Sequence, residues 1–358
     1  MPPLLIKKRR MSRMRIAVCN SQVPFEYGGA EVLADALVTH LRDSEYDATL
    51  VTVPFRHYPN EEILKGYLAW RLLNLEEAEG RKIDRVICLK FPSFVISHPC
   101  KVTWLIQQLR QAYDLHGTAF GMFDNSPQDR ELRSTIQQMD YCTIKESRHI
   151  YAISRNVAQR LESWNELSAD VLYPPPAMDE CLHHEIYGDY ILSVSRLDEL
   201  KRVDLLIRAM GLAKSPVLCR IIGRGRERDH LEQLTQHVGA TGRVVFMGFV
   251  PDKDVLDAYA NALAVYYAPV DEDYGLCTIE AMKSSKAVLT AKDSGGVLEF
   301  VQDGITGAVV APDDPAQLAA CIDQLYQDRQ LAARWGSNAQ HLVAGITWDA
   351  TIRQLLAD

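Results

Sequence analysis

The chain has 358 residues, of which 47% are hydrophobic and 24% charged, and its formal net charge is −8. This length allows two domains of ordinary size, each with its own hydrophobic core. No apolar run approaches the roughly 18–20 residues that a membrane-crossing helix needs, so the sequence predicts no such helix.

Charge and cysteine usage narrow the functional classes further. The first half is nearly neutral and the second half is acidic, so neither half predicts nucleic-acid binding. A local basic patch in the first half could still contact the inner face of a membrane, although an ordinary solvated surface explains the same charges. The eight cysteines form no C-x-x-C pair and no zinc-spaced cluster, which predicts reduced thiols in a cytoplasmic protein.

The first half alternates short apolar runs with helical stretches. Its first strand candidate, Arg15–Cys19, is followed by Gly28-Gly29 and then by apolar residues at helical spacing from Ala30 to Leu41. Further strand candidates are Thr49–Val53, Arg85–Leu89, Val102–Ile106 and Ile150–Ile153. Short apolar strands separated by helices indicate a parallel sheet covered by helices.

A proline run, Tyr173–Pro176, separates this pattern from a second one. Consecutive prolines cannot continue a helix or a central strand, so the run predicts a connection between domains. Strands are then predicted at Tyr190–Val194, Leu218–Ile222, Val244–Phe246, Ala264–Tyr267, Ala287–Thr290 and Val309–Ala311. Helices are predicted at Val203–Met210, Arg228–His237, Val255–Ala262, Thr278–Ser284 and Trp348–Leu356.

The sequence therefore predicts an α/β protein with two doubly wound, Rossmann-like domains. We place the first domain at residues 1–175, the second at 176–345 and a C-terminal helix at 346–358. Sheets of this kind bind ligands beyond the carboxyl ends of their strands. Fold alone does not select a chemistry, so the residues at those strand ends decide the functional prediction.

Two cations follow the first strand of the second half. Arg196 and Lys201 lie between that strand and the next helix. A forked guanidinium and a compact ammonium suit the two negative charges of a diphosphate. Surface charge at a helix start is the alternative, but cations there oppose the helix dipole.

The stretch from Glu272 to Glu280 is the most specific signal. Gly275–Thr278 precedes an apolar helix, and a helix N-terminus offers free backbone N–H groups to phosphate. The two carboxylates at its ends can accept hydrogen bonds from the vicinal hydroxyls of a sugar. Asp271-Glu272-Asp273 also fits a D-x-D metal motif, but the nearby cations already supply positive charge, so we predict no metal and no other cofactor.

Two glycine turns give weaker signals. Gly223-Arg224-Gly225 and Gly295-Gly296 each follow a predicted strand, and glycine lets backbone approach a ligand closely. A lone G-x-G is weak evidence. The second turn has a carboxylate, Glu299, one helical turn further on, but by itself it is better explained as a plain left-handed turn with a capping residue.

Together these residues resemble the retaining GT-B glycosyltransferases of family 4. The resemblance rests on Arg196 with Lys201, Glu272 with Glu280, the turn at Tyr274-Gly275-Leu276 and Gly295-Gly296-x-x-Glu299. It covers nearly the whole chain, is strongest over Asp189–Ala311, and includes the loop Tyr27–Glu31. It implies two Rossmann-like domains facing a central cleft, the first binding an acceptor and the second a nucleotide sugar, with the C-terminal helix packing back toward the first.

The resemblance also implies a role for each matching residue. Arg196 and Lys201 would hold the donor diphosphate. Glu280 would bind the ribose and Glu272 the donor sugar, so Glu272, Arg196 and Lys201 are catalytic candidates. The other implied donor contacts are Gly28, Gly29, Gly223, Phe249, Val250, Gly275, Leu276, Cys277 and Thr278. The implied reaction moves a mannose-, glucose- or rhamnose-type hexose from a nucleoside-diphosphate sugar to a glycan, glycolipid or small-molecule hydroxyl, with retention and without metal.

One position departs from the family. A histidine often faces the transferred sugar from a first-half loop, and here Gln107 stands in its place. His98 or His116 could replace it, and His116 is therefore a further catalytic candidate. Gln107 also leaves open a non-catalytic nucleotide-sugar-binding subunit of a glycan-assembly complex.

Two further alternatives concern other ligands. A nicotinamide dehydrogenase needs G-x-G-x-x-G after its first strand, whereas Gly28-Gly29 comes late and lacks the third glycine. Trp70, Trp104 and Tyr113 could stack on an acceptor, although core packing is the simpler interpretation.

Overall fold

The computed structural model describes residues 13–118 and 120–357, which form two compact units. The first unit comprises Met1–Tyr151 and Glu162–Ala169, and the second comprises Ala152–Leu161 and Asp170–Asp358. The sequence-based boundary at residue 175 differs from this division. Residues 152–161 and 170–175 group with the second unit because their side chains and backbone bond to it, as described below.

The first unit is built on a parallel sheet whose strands neighbour one another in the order β2-β1-β5-β6-β7. These strands and a two-stranded hairpin, β3 with β4, are β1 (Arg15–Gln22), β2 (Asp47–Pro54), β3 (Glu77–Ala78), β4 (Arg81–Lys82), β5 (Arg85–Lys90), β6 (Lys101–Gln107) and β7 (His149–Ala152). The helices are α1 (Gly29–Asp43), α2 (Glu62–Leu72), α3 (Pro127–Ile144) and α4 (Arg155–Asn165), the last shared between the units. The five predicted strands and α1 are confirmed, whereas α2, α3 and α4 were not predicted.

A buried polar network lies inside the first unit. Tyr67 and Tyr113 donate hydrogen bonds to the two carboxylate oxygens of Asp140 at 2.7 and 2.6 Å. Burial raises the pKa of Asp140 to about 7. Trp70 and Trp104 are fully buried and Tyr113 is 1% exposed, so these three aromatics belong to the core and not to an acceptor surface.

The second unit contains a second parallel sheet, in the order β11-β10-β9-β12-β13-β14. After the short strand β8 (Asp170–Val171), its strands are β9 (Tyr190–Val194), β10 (Leu218–Ile222), β11 (Val244–Gly248), β12 (Ala264–Tyr266), β13 (Val288–Ala291) and β14 (Gly307–Val310). Strand order reverses between β9 and β12, which is where doubly wound sheets bind ligands. Two Rossmann-like units with parallel sheets confirm the predicted fold class.

Further α-helices follow in the second unit. They are α5 (Val203–Leu212), α6 (Arg228–His237), α7 (Asp252–Asn261), α8 (Leu276–Lys283), α9 (Pro315–Gln327), α10 (Arg329–Val343) and α11 (Trp348–Leu355). Both α9 and α10 were not predicted. The structure groups α11 with the second unit, where Trp348 Nε1 donates to the Pro176 carbonyl at 2.9 Å. No helix in residues 13–118 or 120–357 has the length and apolar character needed to cross a membrane.

The Asp140 network makes stability depend on pH. Between about pH 4 and about pH 7, Asp140 is protonated in the folded protein and ionised in the unfolded chain. Folding therefore takes up a proton, and this group's contribution to the free energy of unfolding falls as pH rises through that window. We expect the stability of the wild type relative to Asp140→Asn to fall by up to about 1.4 kcal/mol per pH unit, measured by urea denaturation. A difference that does not vary with pH would contradict this assignment.

Strands β13 and β14 lie close together at Gly307, where a side chain would not fit. A Cβ added at Gly307 would lie 1.9 Å from the Val288 carbonyl oxygen, whereas one added at Gly345 would meet nothing within 4 Å. We expect Gly307→Ala to lower the free energy of unfolding by about 3 kcal/mol, because backbone must shift to accept the methyl group. Gly345→Ala, measured beside it, should change stability by less than about 0.5 kcal/mol. Equal stability of the two variants would contradict the packing argument.

Candidate functional site

The sequence signals of the second half meet along one edge of the second sheet. Each lies just beyond the carboxyl end of a strand: Arg196–Lys201 after β9, Gly223 after β10, Phe249-Val250 after β11, Glu272–Glu280 after β12 and Gly295–Glu299 after β13. Since these strands are neighbours, the sheet brings the signals together. The loops after β9 and β12 flank the point where strand order reverses.

An ion pair joins those two loops. Lys201 Nζ lies 2.5 Å from Glu272 Oε2 and donates to the Tyr267 hydroxyl at 3.1 Å. The side chains of Lys201 and Glu272 are 13% and 23% exposed, so water screens their attraction only partly. An ammonium carries three N–H donors. The third can therefore donate to a ligand while the pair with Glu272 persists.

Helix α8 presents its N-terminus at the same edge. Gly275, with φ +84°, precedes the helix, and a Cβ there would lie 2.9 Å from Tyr267 Cε1, so the tight turn requires glycine. Thr278 is fully buried, and its Oγ1 has no hydrogen-bond partner in the part of the chain that the structure describes. The Thr278 N–H already donates to the Gly275 carbonyl at 2.9 Å, and the Cys277 thiol donates to Val194 O at 3.0 Å. The helix dipole favours an anion here.

Glu280 lies one turn into α8 and is oriented by Tyr259 of α7. The buried Tyr259 hydroxyl donates to Glu280 Oε2 at 2.8 Å, which leaves the other oxygen to accept from a ligand. Burial raises the pKa of Glu280, and the hydrogen bond from Tyr259 opposes that rise. The carboxylate is thus held in one orientation beside the helix N-terminus.

Arg196 differs from Lys201 in its surroundings. Its side chain is 70% exposed and lies 3.7 Å from Asp198 Oδ2. The neighbouring Ser195 Oγ and Asp198 Oδ1 are buried and have no hydrogen-bond partner within the described ranges. Buried polar atoms of this kind call for a partner such as a ligand or water. The loop after β9 therefore presents both an exposed cation and unsatisfied polar atoms.

The glycines after β10 have a packing role. A Cβ at Gly223 would lie 1.8 Å from the Ser195 carbonyl oxygen, and one at Gly225 would lie 2.1 Å from that of Leu197. These two glycines let the loops after β9 and β10 pack backbone to backbone, so close packing explains them without a ligand. The predicted contact of Gly223 with a donor stays a prediction.

Phe249 and Val250 follow β11 at the same edge. Phe249 is 71% exposed, and the Arg224 guanidinium lies 5.3 Å from its ring centroid. Val250 is half-buried. An exposed aromatic with a cation beside it offers a surface for stacking a planar base.

The remaining motif residues, Tyr274 and Glu299, bond to other residues of the second unit. Tyr274 is buried, packs against Tyr173 and Phe300, and donates its hydroxyl to Pro174 O at 2.8 Å. Glu299 accepts hydrogen bonds from the backbone N–H groups of Arg155 and Asn156 at 3.0 and 2.9 Å. Glu299 therefore caps the N-terminus of α4.

Three residues at the start of α4, one just before the helix and two in its first turns, were not identified from the sequence. Ser154, Asn156 and Arg160 all bond to residues 271–273. A serine before a helix is a common N-cap, so their sequence carries a structural signal but no functional one. Asp271 and Asp273 of the D-x-D pattern thus both have protein partners. Among described residues, no three His, Cys, Asp or Glu side chains form a group suited to a metal ion.

The two predicted glycines of the first unit lie at the start of α1. Gly28 N–H donates to Glu31 Oε2 at 3.0 Å, Lys90 lies 3.1 Å from Glu31 Oε1, and α1 begins at Gly29. The predicted donor contacts of Gly28 and Gly29 stay predictions.

The two candidate histidines of the first unit differ. Both ring nitrogens of the buried His98 bond to backbone, at Ile83 and Cys100, so His98 cannot replace the family histidine at Gln107. His116 is half-buried, and its Nδ1 has no hydrogen-bond partner among the residues that the structure covers. His116 therefore stays a candidate.

Comparison with known sequences agrees with the geometry. Residues 187–342 match the family model described as Glycosyl transferases group 1. An uncharacterised glycosyltransferase of Methanocaldococcus jannaschii is 25% identical over 360 residues, covering 88% of this chain and 90% of that protein. The D-inositol 3-phosphate glycosyltransferase of Frankia alni is 32% identical over 181 residues, covering 47% of this chain and 44% of that protein. The chain thus spans under half of the latter relative.

Solved structures show the same fold. Anabaena HepE, in complex with UDP and glucose, has a TM-score of 0.69 at 19% identity, covering 96% of this chain and 98% of HepE. The sucrose-phosphate synthase of Thermosynechococcus elongatus has a TM-score of 0.73 at 17% identity, covering 96% and 97%. At these identities the likeness establishes the fold alone. The predicted resemblance to glycosyltransferases agrees with these findings: both units have the Rossmann-like fold of GT-B glycosyltransferases, and residues 187–342 of the second unit match the group 1 model.

Proposed function

We propose that this chain is a retaining hexosyltransferase that takes its sugar from a nucleoside-diphosphate donor. The observation that carries the proposal is the Lys201–Glu272 pair, which sets a cation and a carboxylate side by side at the switch point of a group 1 domain. A cation suits the diphosphate of such a donor, and a carboxylate suits its sugar hydroxyls. The acceptor is a hydroxyl of a glycan, a glycolipid or a small molecule.

The diphosphate is held by charge and by helix geometry. Lys201 and Arg196 supply two positive charges beside the N-terminus of α8, where the dipole favours an anion. The buried hydroxyls of Ser195 and Thr278 have no partner among described residues, and phosphate oxygens would satisfy them. Since the two cations already match the diphosphate charge, we propose that transfer needs no metal.

The remaining donor groups meet carboxylates and an aromatic ring. Glu280, oriented by Tyr259, accepts from the ribose hydroxyls, and Glu272 accepts from hydroxyls of the sugar. Phe249 and Val250 flank the base. HepE was solved with UDP and glucose, which makes a UDP-hexose the first donor to test. The name of the Frankia alni relative makes an inositol phosphate one small-molecule acceptor to test.

Transfer proceeds on one face of the sugar. The acceptor oxygen attacks the anomeric carbon as the bond to the diphosphate breaks, and a leaving phosphate oxygen takes the acceptor proton. Lys201 and Arg196 stabilise the charge that develops on the leaving group. This course needs no protein base, so it tolerates Gln107, while His116 remains a candidate for contact with the sugar. Contact with a membrane surface stays a prediction.

Removing the Lys201 ammonium should abolish most turnover. We expect Lys201→Ala to lower kcat by about 10²- to 10³-fold, because one preorganised group facing a developing charge contributes that much. The measurement is nucleoside diphosphate release in the presence of a matched donor and acceptor. Lys253→Ala, a change on the exposed face of α7, is the matched control and should keep wild-type turnover. Unchanged turnover in Lys201→Ala would refute the proposal.

A thermal-shift screen over UDP-, GDP- and dTDP-hexoses identifies the donor, because specific binding raises apparent stability. Donor hydrolysis without acceptor then separates an enzyme from a binding subunit. We expect slow release of nucleoside diphosphate from the donor that stabilises the protein. Stabilisation with no release, with or without acceptors, would instead indicate the non-catalytic subunit.

The Tyr259–Glu280 bond predicts a pH effect on donor binding. Burial raises the pKa of Glu280 and the Tyr259 hydroxyl opposes this, so Tyr259→Phe should raise the pKa of Glu280 further. A protonated Glu280 is a weaker hydrogen-bond acceptor for the ribose hydroxyls. As the pH is lowered, donor affinity should therefore begin to fall at a higher pH in this variant than in the wild type. Donor Kd measured against pH tests this, with Tyr326→Phe as the control. If donor affinity fell at the same pH in the wild type, Tyr259→Phe and Tyr326→Phe, the role of Glu280 would be contradicted.

A further inference from the structure

We propose that the first turns of α4 set the position of Glu272, with Asn156 and Arg160 as positioning residues of the donor site. The inference rests on the proposed function, since it concerns the carboxylate assigned to the donor sugar. It adds to that site a segment far from it in sequence. Residues 152–161 belong to the same compact unit as Glu272, so the contacts lie within one unit.

Asn156 holds the backbone of Glu272 directly. Its side-chain amide Nδ2 donates to the Glu272 carbonyl at 2.9 Å and to Asp271 Oδ1 at 3.0 Å. The Gly296 N–H donates to the same Glu272 carbonyl at 2.8 Å. A carbonyl oxygen has two lone pairs, so these two donors complete its hydrogen bonding and fix the peptide plane.

Arg160 holds the residues on either side of Glu272. Its side chain is 6% exposed, with Nη1 2.5 Å from Asp273 Oδ1 and Nη2 3.6 Å from Asp271 Oδ2. The buried guanidinium thus binds the residue before Glu272 and the residue after it. With both neighbours drawn toward α4, the intervening Glu272 side chain is directed to Lys201.

Backbone conformation shows why the loop needs this support. Asp271 has φ +41°, in the left-handed region that is unfavourable for a residue other than glycine. The surrounding bonds must therefore stabilise that conformation. A Cβ at Gly295 would lie 2.5 Å from the Glu272 carbonyl oxygen and 2.8 Å from Asn156 Nδ2, so Gly295 lets the three residues pack together.

The helix that carries Asn156 and Arg160 is itself anchored to the site. Glu299 accepts from the N–H groups of Arg155 and Asn156, and the Tyr173 hydroxyl donates to Glu299 at 2.7 Å. The Ser154 hydroxyl also donates to the Asp273 carbonyl. The glycine turn and Glu299 therefore act on Glu272 through α4 and through backbone. The turn Gly295–Glu299 thus has a function in positioning.

A double-mutant cycle between Asn156 and Glu272 tests the inference. We expect Asn156→Ala to lower kcat/KM for the donor sugar about tenfold or more, because a displaced binding group loses rate steeply. Affinity for the plain nucleoside diphosphate should change less than about twofold, since Glu272 contacts the sugar. In a Glu272→Ala background, Asn156→Ala should have little further effect.

Further variants separate positioning from folding. Gln159→Ala, on the exposed side of α4, is the control and should leave kcat/KM unchanged. Arg160→Lys should retain more activity than Arg160→Ala, because it keeps the charge that faces Asp271 and Asp273. Asn156→Ser, too short to reach the Glu272 carbonyl, replaces Asn156→Ala if melting shows that variant to be unfolded.

The outcomes distinguish the inference from the proposed function. Additive losses in the cycle, or wild-type kcat/KM in a folded Asn156 variant, would overturn the positioning role while leaving the hexosyltransferase intact. A wild-type protein that neither binds nor turns over any nucleoside-diphosphate hexose would overturn the proposed function, and the inference would fall with it.

Discussion

The candidate site depends on the ion pair between Lys201 and Glu272. This pair links the loops that leave β9 and β12 at the point where the sheet reverses its strand order. Both groups are largely shielded from water, and removing one would leave the other partly buried without its partner, which is strongly unfavourable. Each loop therefore fixes the other. In the proposed function, the pair also sets the spacing between the cation that would bind phosphate and the carboxylate that would bind sugar hydroxyls.

Close backbone packing makes this arrangement possible. Gly223 and Gly225 allow the loop after β10 to lie against the loop after β9, and Gly295 and Gly296 allow the loop after β13 to lie against residues 272–273. Side chains at these positions would push the loops apart. The glycines thus allow the loops that form the candidate site to pack closely, whether or not they also contact a ligand.

Local sequence pattern predicted the sheet and much of the site. Strands such as Tyr190–Val194 were placed correctly because a continuous apolar run between polar turns is a local signal. The helix predicted at Thr278–Ser284 is α8, although it begins earlier, at Leu276, directly after Gly275. The helices α9 and α10 were missed although α9 carries an Asp314 N-cap and Pro315 at its first position, a start signal that was available in the sequence.

Long-range contacts are what the sequence could not supply. Nothing in the local sequence shows that Glu299 caps a helix that begins 144 residues earlier, at Arg155. Asn156 and Arg160 carry no functional signal in the sequence. Their role is visible only because the fold places them beside Asp271 and Asp273. Likewise, the partnership of Lys201 with Glu272 depends on strand order, which spacing along the chain does not reveal.

A crystal structure of the protein with a bound nucleoside-diphosphate hexose tests the central claim most directly. The account predicts that the diphosphate lies within hydrogen-bond distance of Lys201 Nζ and the N-terminus of α8, with the sugar hydroxyls at Glu272 and the ribose at Glu280. A donor bound away from the carboxyl edge of the second sheet, with Lys201 and Glu272 untouched, would contradict it.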